Sequence, residues 1–433
     1  LTFDATNAEN FCTIIAIAPS PAQQGVIWVG TDDGNLQLTR DGGKTWSNLS
    51  ERLPDCPKNA WIPQIEVSAT NPGEAFVVVN NYRQNDWEPY LYHTTDFGRK
   101  WKRLADAKNV GSFCLSVVQD PVAPNLLFLG TDQGLYFSID YGDSWTHWPA
   151  VKAGEPGGFP CVPVQDMKIH PRDGDLVIGT FGRAIWIMDN IAPLRELAKN
   201  PALFDQPFKL FNPQAAVLAS WRSFDGARFP ADASFTGANK DAAARVPVWI
   251  KPGAAPKAEK KEGGDKTEEP AVRRGRFGRG GPGGGRRNEK VDVLVLSAAG
   301  DTVRRFKAEL DTCLGTIYWG LDTRGVQFPS NREADREQDE PGGGPRVLPG
   351  TYWLKAVYGK FRDSVSIQVQ DDPRLGLFYD FYLSLYCAFD CKPLALHTRN
   401  PCEGCEKNDH QQHALTFSHR SSSAFGKNVD TAN

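Results

Sequence analysis

Residues 39–46 read TRDGGKTW, and the same spelling returns as TTDFGRKW at 94–101 and as SIDYGDSW at 138–145. All three fit Ser/Thr-x-Asp-x-Gly-x-x-Trp. The fitting residues are Thr39, Asp41, Gly43 and Trp46, then Thr94, Asp96, Gly98 and Trp101, then Ser138, Asp140, Gly142 and Trp145. The Asp-to-Asp intervals are 55 and 44 residues. A repeat near 40–50 residues points to the blades of a propeller, each a small antiparallel sheet.

The surroundings repeat as well. An apolar run precedes each motif, at 26–30, 75–79 and 126–130, and an earlier run opens each unit, at 13–18, 62–67 and 113–118. A fourth unit keeps the strand pattern at 162–170, 176–179 and 183–188 but lacks the Asp motif. Four blades are therefore expected, over 8–54, 57–106, 109–150 and 160–195. Within the motif, a carboxylate at a hairpin corner accepts hydrogen bonds from backbone N–H groups of its own turn. The glycine supplies a backbone angle that other residues avoid, and the indole packs between neighbouring strands. Asp41, Asp96 and Asp140 are thus expected to be structural, and none is assigned a catalytic role.

Composition supports an all-β chain. Among 433 residues there are 12 Trp, 41 Gly and 31 Pro but two Met, a mix suited to short strands and tight turns. The net charge of −3 gives no global attraction to nucleic acid or to an acidic membrane. No apolar run reaches the ~18 residues of a membrane helix. The first residue is Leu1, with no charged-then-apolar export stretch behind it, so the sequence reads as a mature or truncated piece and leaves export open. Cys12, Cys56, Cys114, Cys161 and Cys313 are scattered and odd in number, unlike a disulfide framework.

The motif resembles the Asp-box, or BNR repeat, of sialidases, sortilin-type receptor propellers and large bacterial sortilin-like proteins. The last group is the best match, through GVIWVGTDDGNLQLTRDGGKTWSNL, NLLFLGTDQGLYFSIDYGDSW and GDLVIGTFGRAIWIMDNIAPL. That resemblance implies residues 1–198 are the last four blades of an Asp-box propeller. Such propellers have six or more blades, so the remaining blades are expected upstream or from another chain. Sortilin receptors follow the propeller with a Cys-rich module, and none follows residue 195, so the sorting function is not carried over.

Residues 199–374 are expected to form a β-sandwich, with strand-like runs at 215–221, 246–251, 291–297, 302–308, 316–322, 350–358 and 363–370. Its Pro-Gly pair before Thr351 and its Trp319 resemble Ig-like or fibronectin-like modules. Residues 251–290 interrupt it with ten Gly and twelve Lys+Arg around one aromatic, Phe277, and are read as a disordered insertion. The part from Arg273 to Arg287 resembles Arg-Gly segments that bind RNA, but no other stretch supports nucleic acid as a partner. Residues 331–345 read as a second polar loop. Beyond residue 374 the pattern is lost, and 375–433 read as an atypical, disordered tail, explicable by a shifted reading frame. Cys402 and Cys405 form a C-x2-C pair there, a weak metal candidate. No metal or other cofactor is assigned.

Two functions compete. One is a non-catalytic binding or scaffold protein outside the cell, in the periplasm or at the cell surface, recognising a protein, peptide or glycan. The other is a sialidase-like glycoside hydrolase whose catalytic residues lie in missing upstream blades. Sialidase chemistry needs an arginine triad, a Tyr–Glu pair and an acid/base Asp, marked by Phe/Tyr-Arg-Ile-Pro before the first motif. The nearest string, Ala227-Arg228-Phe229-Pro230, follows the last blade, and Arg40, Arg83, Arg99 and Arg183 do not recur at matching blade positions. His93, His147 and His170 are isolated. Binding is therefore preferred over catalysis. The ligand surface is expected on loops away from the motif corner, with Tyr82, Arg83 and Trp87 in NNYRQNDWEPY and Arg183 as candidates.

Overall fold

The computed structural model describes residues 12–148, 158–219, 240–254, 289–310, 312–326 and 342–373. Residues Leu1–Asp372 form one compact unit, and Pro373–Asn433 form a second, of which only Pro373 is described. The stretch from Arg273 to Arg287, the Ala227–Pro230 string, and Cys402 and Cys405 lie outside the described residues.

Four antiparallel sheets follow one another along the chain. The first holds β1 (Ile14–Pro19), β2 (Ile27–Thr31), β3 (Leu36–Thr39) and β4 (Ser47–Asn48). The second holds β5 (Trp61–Val67), β6 (Ala75–Asn81), β7 (Asp86–Thr94) and β8 (Lys102–Ala105). The third holds β9 (Cys114–Gln119), β10 (Leu127–Thr131), β11 (Gly134–Ser138) and β12 (Thr146–His147). The fourth has three strands, β13 (Val164–Ile169), β14 (Leu176–Thr180) and β15 (Ile185–Met188). Strands pair in chain order within every sheet, which is the up-and-down blade of a propeller. The chain is all-β and its first part is a partial β-propeller.

Glycines set the distance between blades. A Cβ on Gly30 would lie 2.5 Å from Ile62 Cγ2, and one on Gly130 would lie 2.6 Å from Val164 Cγ1. Each glycine belongs to the second strand of its blade, and each branched residue to the first strand of the next. Backbone bonds tie the motif corner of each blade to its own first turn: Gly42 N–H to Gly25 O, Phe97 to Gly73, Tyr141 to Asn125. In the fourth blade Ile191 N–H reaches Gly174 O at 2.8 Å, so the chain makes the same contact without the Asp motif. It then enters helix α1 (Ala192–Lys199) instead of a fourth strand. Leu194, Leu197 and Ala198 bury one face of α1 against the third and fourth blades. Arg195 Nε donates to fully buried Asp120 at 2.8 Å, and Asp120 also accepts from the N–H groups of Val122 and Ala123.

Two further sheets enclose one core. One has the order β16 (Phe208–Leu210), β18 (Ala244–Ile250), β21 (Cys313–Trp319). The other runs β17 (Ala216–Leu218), β25 (Phe361–Asp371), β24 (Gly350–Tyr358), β19 (Glu289–Ser297), β20 (Thr302–Leu310), with β17 parallel to β25. A small hairpin joins β22 (Asp322–Arg324) to β23 (Gly343–Arg346). Val246, Val248, Ile317 and Trp319 face Val291, Val293, Val295 and Ile367. This is a two-sheet sandwich. Strand β21 starts three residues before the expected 316, because it pairs with β18 along its whole length, from Cys313↔Ile250 to Trp319↔Ala244. The short strands β16, β22 and β23 were not expected, since three or four residues are too few for an alternation to show. The sandwich is fastened to the fourth blade by charge. Lys240 bridges Asp175 and Asp189, and Arg245 holds Asp189 at 2.8 Å.

Candidate functional site

The two ends of the blades differ in chemistry. At one end stand the three motif corners. Thr39 Oγ1 donates to Asp41 Oδ1 and accepts from Gly43 N–H, while Asp41 accepts from Thr45 N–H at 2.9 Å and from the Thr45 hydroxyl at 2.6 Å. Thr94 and Gly98 repeat this around Asp96, which accepts from the N–H groups of Arg99 and Lys100, both at 2.9 Å. Ser138 and Gly142 do so around Asp140, which accepts from Ser144 N–H and hydroxyl. The Thr45 hydroxyl and N–H hold the Asp41 carboxyl down at about 2. The Lys100 N–H leads a similar lowering at Asp96. Burial opposes it at Asp140, where the Ser144 and Ser138 hydroxyls prevail. These acceptors are occupied by their own turns, which leaves the carboxylates little capacity for a substrate.

The motif tryptophans reach backward. Trp101 stands edge-on to Trp28 of the first blade with ring centroids 6.1 Å apart, and Trp145 Nε1 donates to Leu104 O of the second at 3.0 Å. Trp46 departs from the expected packing. It is 47% exposed and its Nε1 turns back to Gly43 O, because no blade precedes it among the described residues.

At the other end lie the connections between second and third strands. Three are tight and alike: the hydroxyls of Thr31, Thr131 and Thr180 donate to the carbonyls of Asn35, Gly134 and Ala184. The second blade is the exception. There Asn81 leads into a 3-10 turn, Tyr82–Gln84, closed by Asn85 in the left-handed region at φ 59°. Tyr82 stacks on Phe113 at 4.8 Å, Arg83 lies 3.3 Å over the Trp61 ring, and Trp87 meets Phe113 edge-on at 5.6 Å. Asp86 accepts from Asn81 and from the Tyr90 hydroxyl, both at 3.0 Å, which anchors the loop. Trp87 keeps 57% of its surface exposed. Tyr82, Arg83 and Trp87 thus form one cluster. Arg183 sits apart in the β14–β15 turn, where its carbonyl accepts from Trp186 Nε1.

Below this rim, the first strands of all four blades line a cleft of about 530 Å³. Ile17 comes from β1, Trp61 and Glu66 from β5, Leu115 from β9, and Asp166 and Lys168 from β13. Burial pushes the Glu66 carboxyl up to about 7, with Lys168 pulling the other way and Asp166 adding to the rise. Gln64 is pinned by accepting from Val117 N–H at 2.6 Å. The cleft therefore offers two carboxylates, two cations and an apolar wall. Sequence reasoning found the rim but not Trp61, Glu66, Asp166 or Lys168. Their only signal was position on the innermost strand of each blade. Among the described residues no His, Cys, Asp and Glu side chains group to hold a metal ion. Nor is any helix there long and apolar enough to cross a membrane.

No known protein family and no curated protein matches the chain. Several solved structures align with part of it. The GH74 xyloglucanase of Xanthomonas campestris aligns at 17% identity and a TM-score of 0.34, covering 42% of this chain and 29% of the enzyme. The extracellular domain of BT4673 from B. thetaiotaomicron aligns at 19% and 0.32, covering 40% of this chain and 21% of that one. YCF48 from Cyanidioschyzon merolae aligns at 17% and 0.27, covering 41% and 56%. This chain spans less than two thirds of each of these three proteins. The propeller assignment rests on the strand order above.

Proposed function

We propose that the protein works by binding, as a scaffold propeller of the bacterial sortilin-like type that recognises a protein, peptide or glycan outside the cell, in the periplasm or at the cell surface. The observation that carries this reading is the enlarged connection of the second blade. It alone breaks the tight-turn pattern, and it presents an anchored aromatic cluster above a cleft. A rigid, exposed indole beside a guanidinium is a common anchor for such ligands. The opposite end is taken up by carboxylates that hold their own turns together, so Thr39, Asp41, Gly43 and Trp46 and their two counterparts serve the fold. In this reading 1–198 are the propeller part, 199–374 an Ig-like module carrying the insertion, and 375–433 an atypical tail. Array screening of the full chain against glycans and peptides tests it. A hit that Trp87→Ala abolishes supports the assignment. A hit that survives both Trp87→Ala and Tyr82→Ala overturns the site.

One observation favours glycoside hydrolysis as a second reading. Burial raises the Glu66 carboxyl to about 7 in the same cleft as Asp166, and glycosidases use a pair of carboxyl groups. Steady turnover of a glycoside, lost in Glu66→Gln, would establish it over binding.

A further inference from the structure

The sandwich carries a surface that the propeller reading leaves unused, the outer face of its five-stranded sheet. Val293, Val295, Leu354, Ala356, Val365 and Ile367 belong to the core. Strand alternation therefore turns the residues between them outward. Trp353 of β24 stands in the middle of that face, opposite Leu296 of β19 on one side and Ser366 of β25 on the other. It keeps 45% of its surface exposed. Its indole N–H has no hydrogen-bond partner among the described residues. Trp319 in the other sheet is the contrast, buried and donating to Asp322 O at 3.0 Å.

Cations gather beside this indole. Two residues along the strands, about 7 Å away, the register aligns Arg305 of β20 and Lys355 of β24 on either side of Leu294. The row after that holds Lys307 and Arg362, with Asp292 between them. All four cations are exposed. They face outward against one carboxylate, in a chain whose net charge is −3, so the excess is local. One row further, Lys290 and Glu309 meet at 3.7 Å. The four cations have no such partner among the described residues.

We propose that this face is a second binding site, for an acidic polysaccharide built of uronic acids. One sugar ring lays its C–H face on the Trp353 indole, and carboxylates of the same chain pair with Lys355 and Arg305. The site goes beyond the propeller reading and does not rest on it. The occupant follows from the chemistry of the face. In a uronic acid the carboxylate is bonded to the ring itself, so ring and charge recur together along the polymer, as indole and cations do across these rows. Single-stranded nucleic acid stacks successive bases on several aromatics, and the outward positions here present one. An acidic bilayer takes apolar side chains into its interface, and Leu294 and Leu296 are already half-buried in the sheet.

Calorimetric titration of the full chain with polygalacturonate tests the assignment. Dextran is the neutral control, and poly(dT) and phosphatidylserine vesicles stand for the other classes of polyanion. The expected result is binding to polygalacturonate and none to dextran. Affinity should fall as salt rises from about 0.1 to 1 M, where the screening length shrinks from about 10 to 3 Å. Trp353→Ala is expected to weaken binding at least about tenfold, and Trp353→Tyr to keep most of it. Lys355→Gln combined with Arg305→Gln, two exposed positions that leave the core untouched, should weaken binding and flatten its salt dependence. The arginines from Arg273 to Arg287 are intact in every variant, so polyanion binding through them would survive these changes. No binding to polygalacturonate, equal binding to dextran, or tighter binding to poly(dT) or to the vesicles would overturn the proposal. So would binding that Trp353→Ala or the double variant leaves unchanged.

Discussion

The indole of Trp101 stands at 80° to that of Trp28, edge to face, and so fastens the motif corner of the second blade onto the first. The motif is therefore a device between blades as well as within a hairpin. Trp101→Ala should cost ~2–4 kcal/mol, since it removes a packed aromatic and leaves a cavity. Trp46→Ala, at a corner with no blade before it among the described residues, should cost less than ~1 kcal/mol. Urea unfolding of the two variants compares them, and equal losses would mean the interblade contact is unimportant.

The corner carboxylates predict a direction for acid stability. Asp41, Asp96 and Asp140 are all held below the ordinary 3.8, Asp41 at about 2. A depressed folded-state pKa means the unfolded chain takes up protons first as pH falls. The stabilisation is complete above the unfolded value and is lost as pH drops from near 4 toward 2. Melting temperature followed through that window should fall steeply. Replacing all three by Asn should lower stability at neutral pH and flatten the slope.

Glu66 predicts the opposite sign. Its folded value of about 7 lies above the ordinary 4.5, so the folded state keeps the proton more tightly. Its contribution is fully present below 4.5 and is lost as pH rises through 7. Glu66→Gln should be close to neutral at pH 4 and stabilising by ~2–3 kcal/mol at pH 8. Paired denaturation curves at the two pH values measure this, and a pH-independent difference would contradict the burial argument.

Asp120 is fully buried and holds α1 to the third blade through Arg195. Asp120→Ala should cost ~3–5 kcal/mol, because it strands a partly buried guanidinium and two backbone N–H groups. Asp120→Ala and Arg195→Ala together should cost less than the sum of the two single changes, as coupled partners do.

The sequence made the blades legible because each repeats a local device: an apolar strand, a glycine, then a carboxylate corner. The four strand groups fall where Asp41, Asp96, Asp140 and the motif-free fourth unit placed them. The rim was legible at Tyr82, Arg83 and Trp87 because those residues interrupt a tight turn with bulky side chains. The cleft was not. Glu66 lies about 100 residues before Asp166 and Lys168 and shares no pattern with them, and only the arc of innermost strands gathers them. The exposure of Trp46 was hidden too, since its eight-residue spelling matches that of partly buried counterparts and only the absence of a neighbouring blade among the described residues distinguishes it.

The proposed division between a binding end and a structural end is tested most directly by one comparison on the full chain. Ligand affinity, from an array hit confirmed by calorimetry, is measured beside melting temperature for Trp87→Ala and Asp96→Asn. The predicted result is that Trp87→Ala loses the ligand at unchanged melting temperature, while Asp96→Asn melts earlier and still binds. The reverse pattern, with binding lost at Asp96 and kept at Trp87, would contradict it.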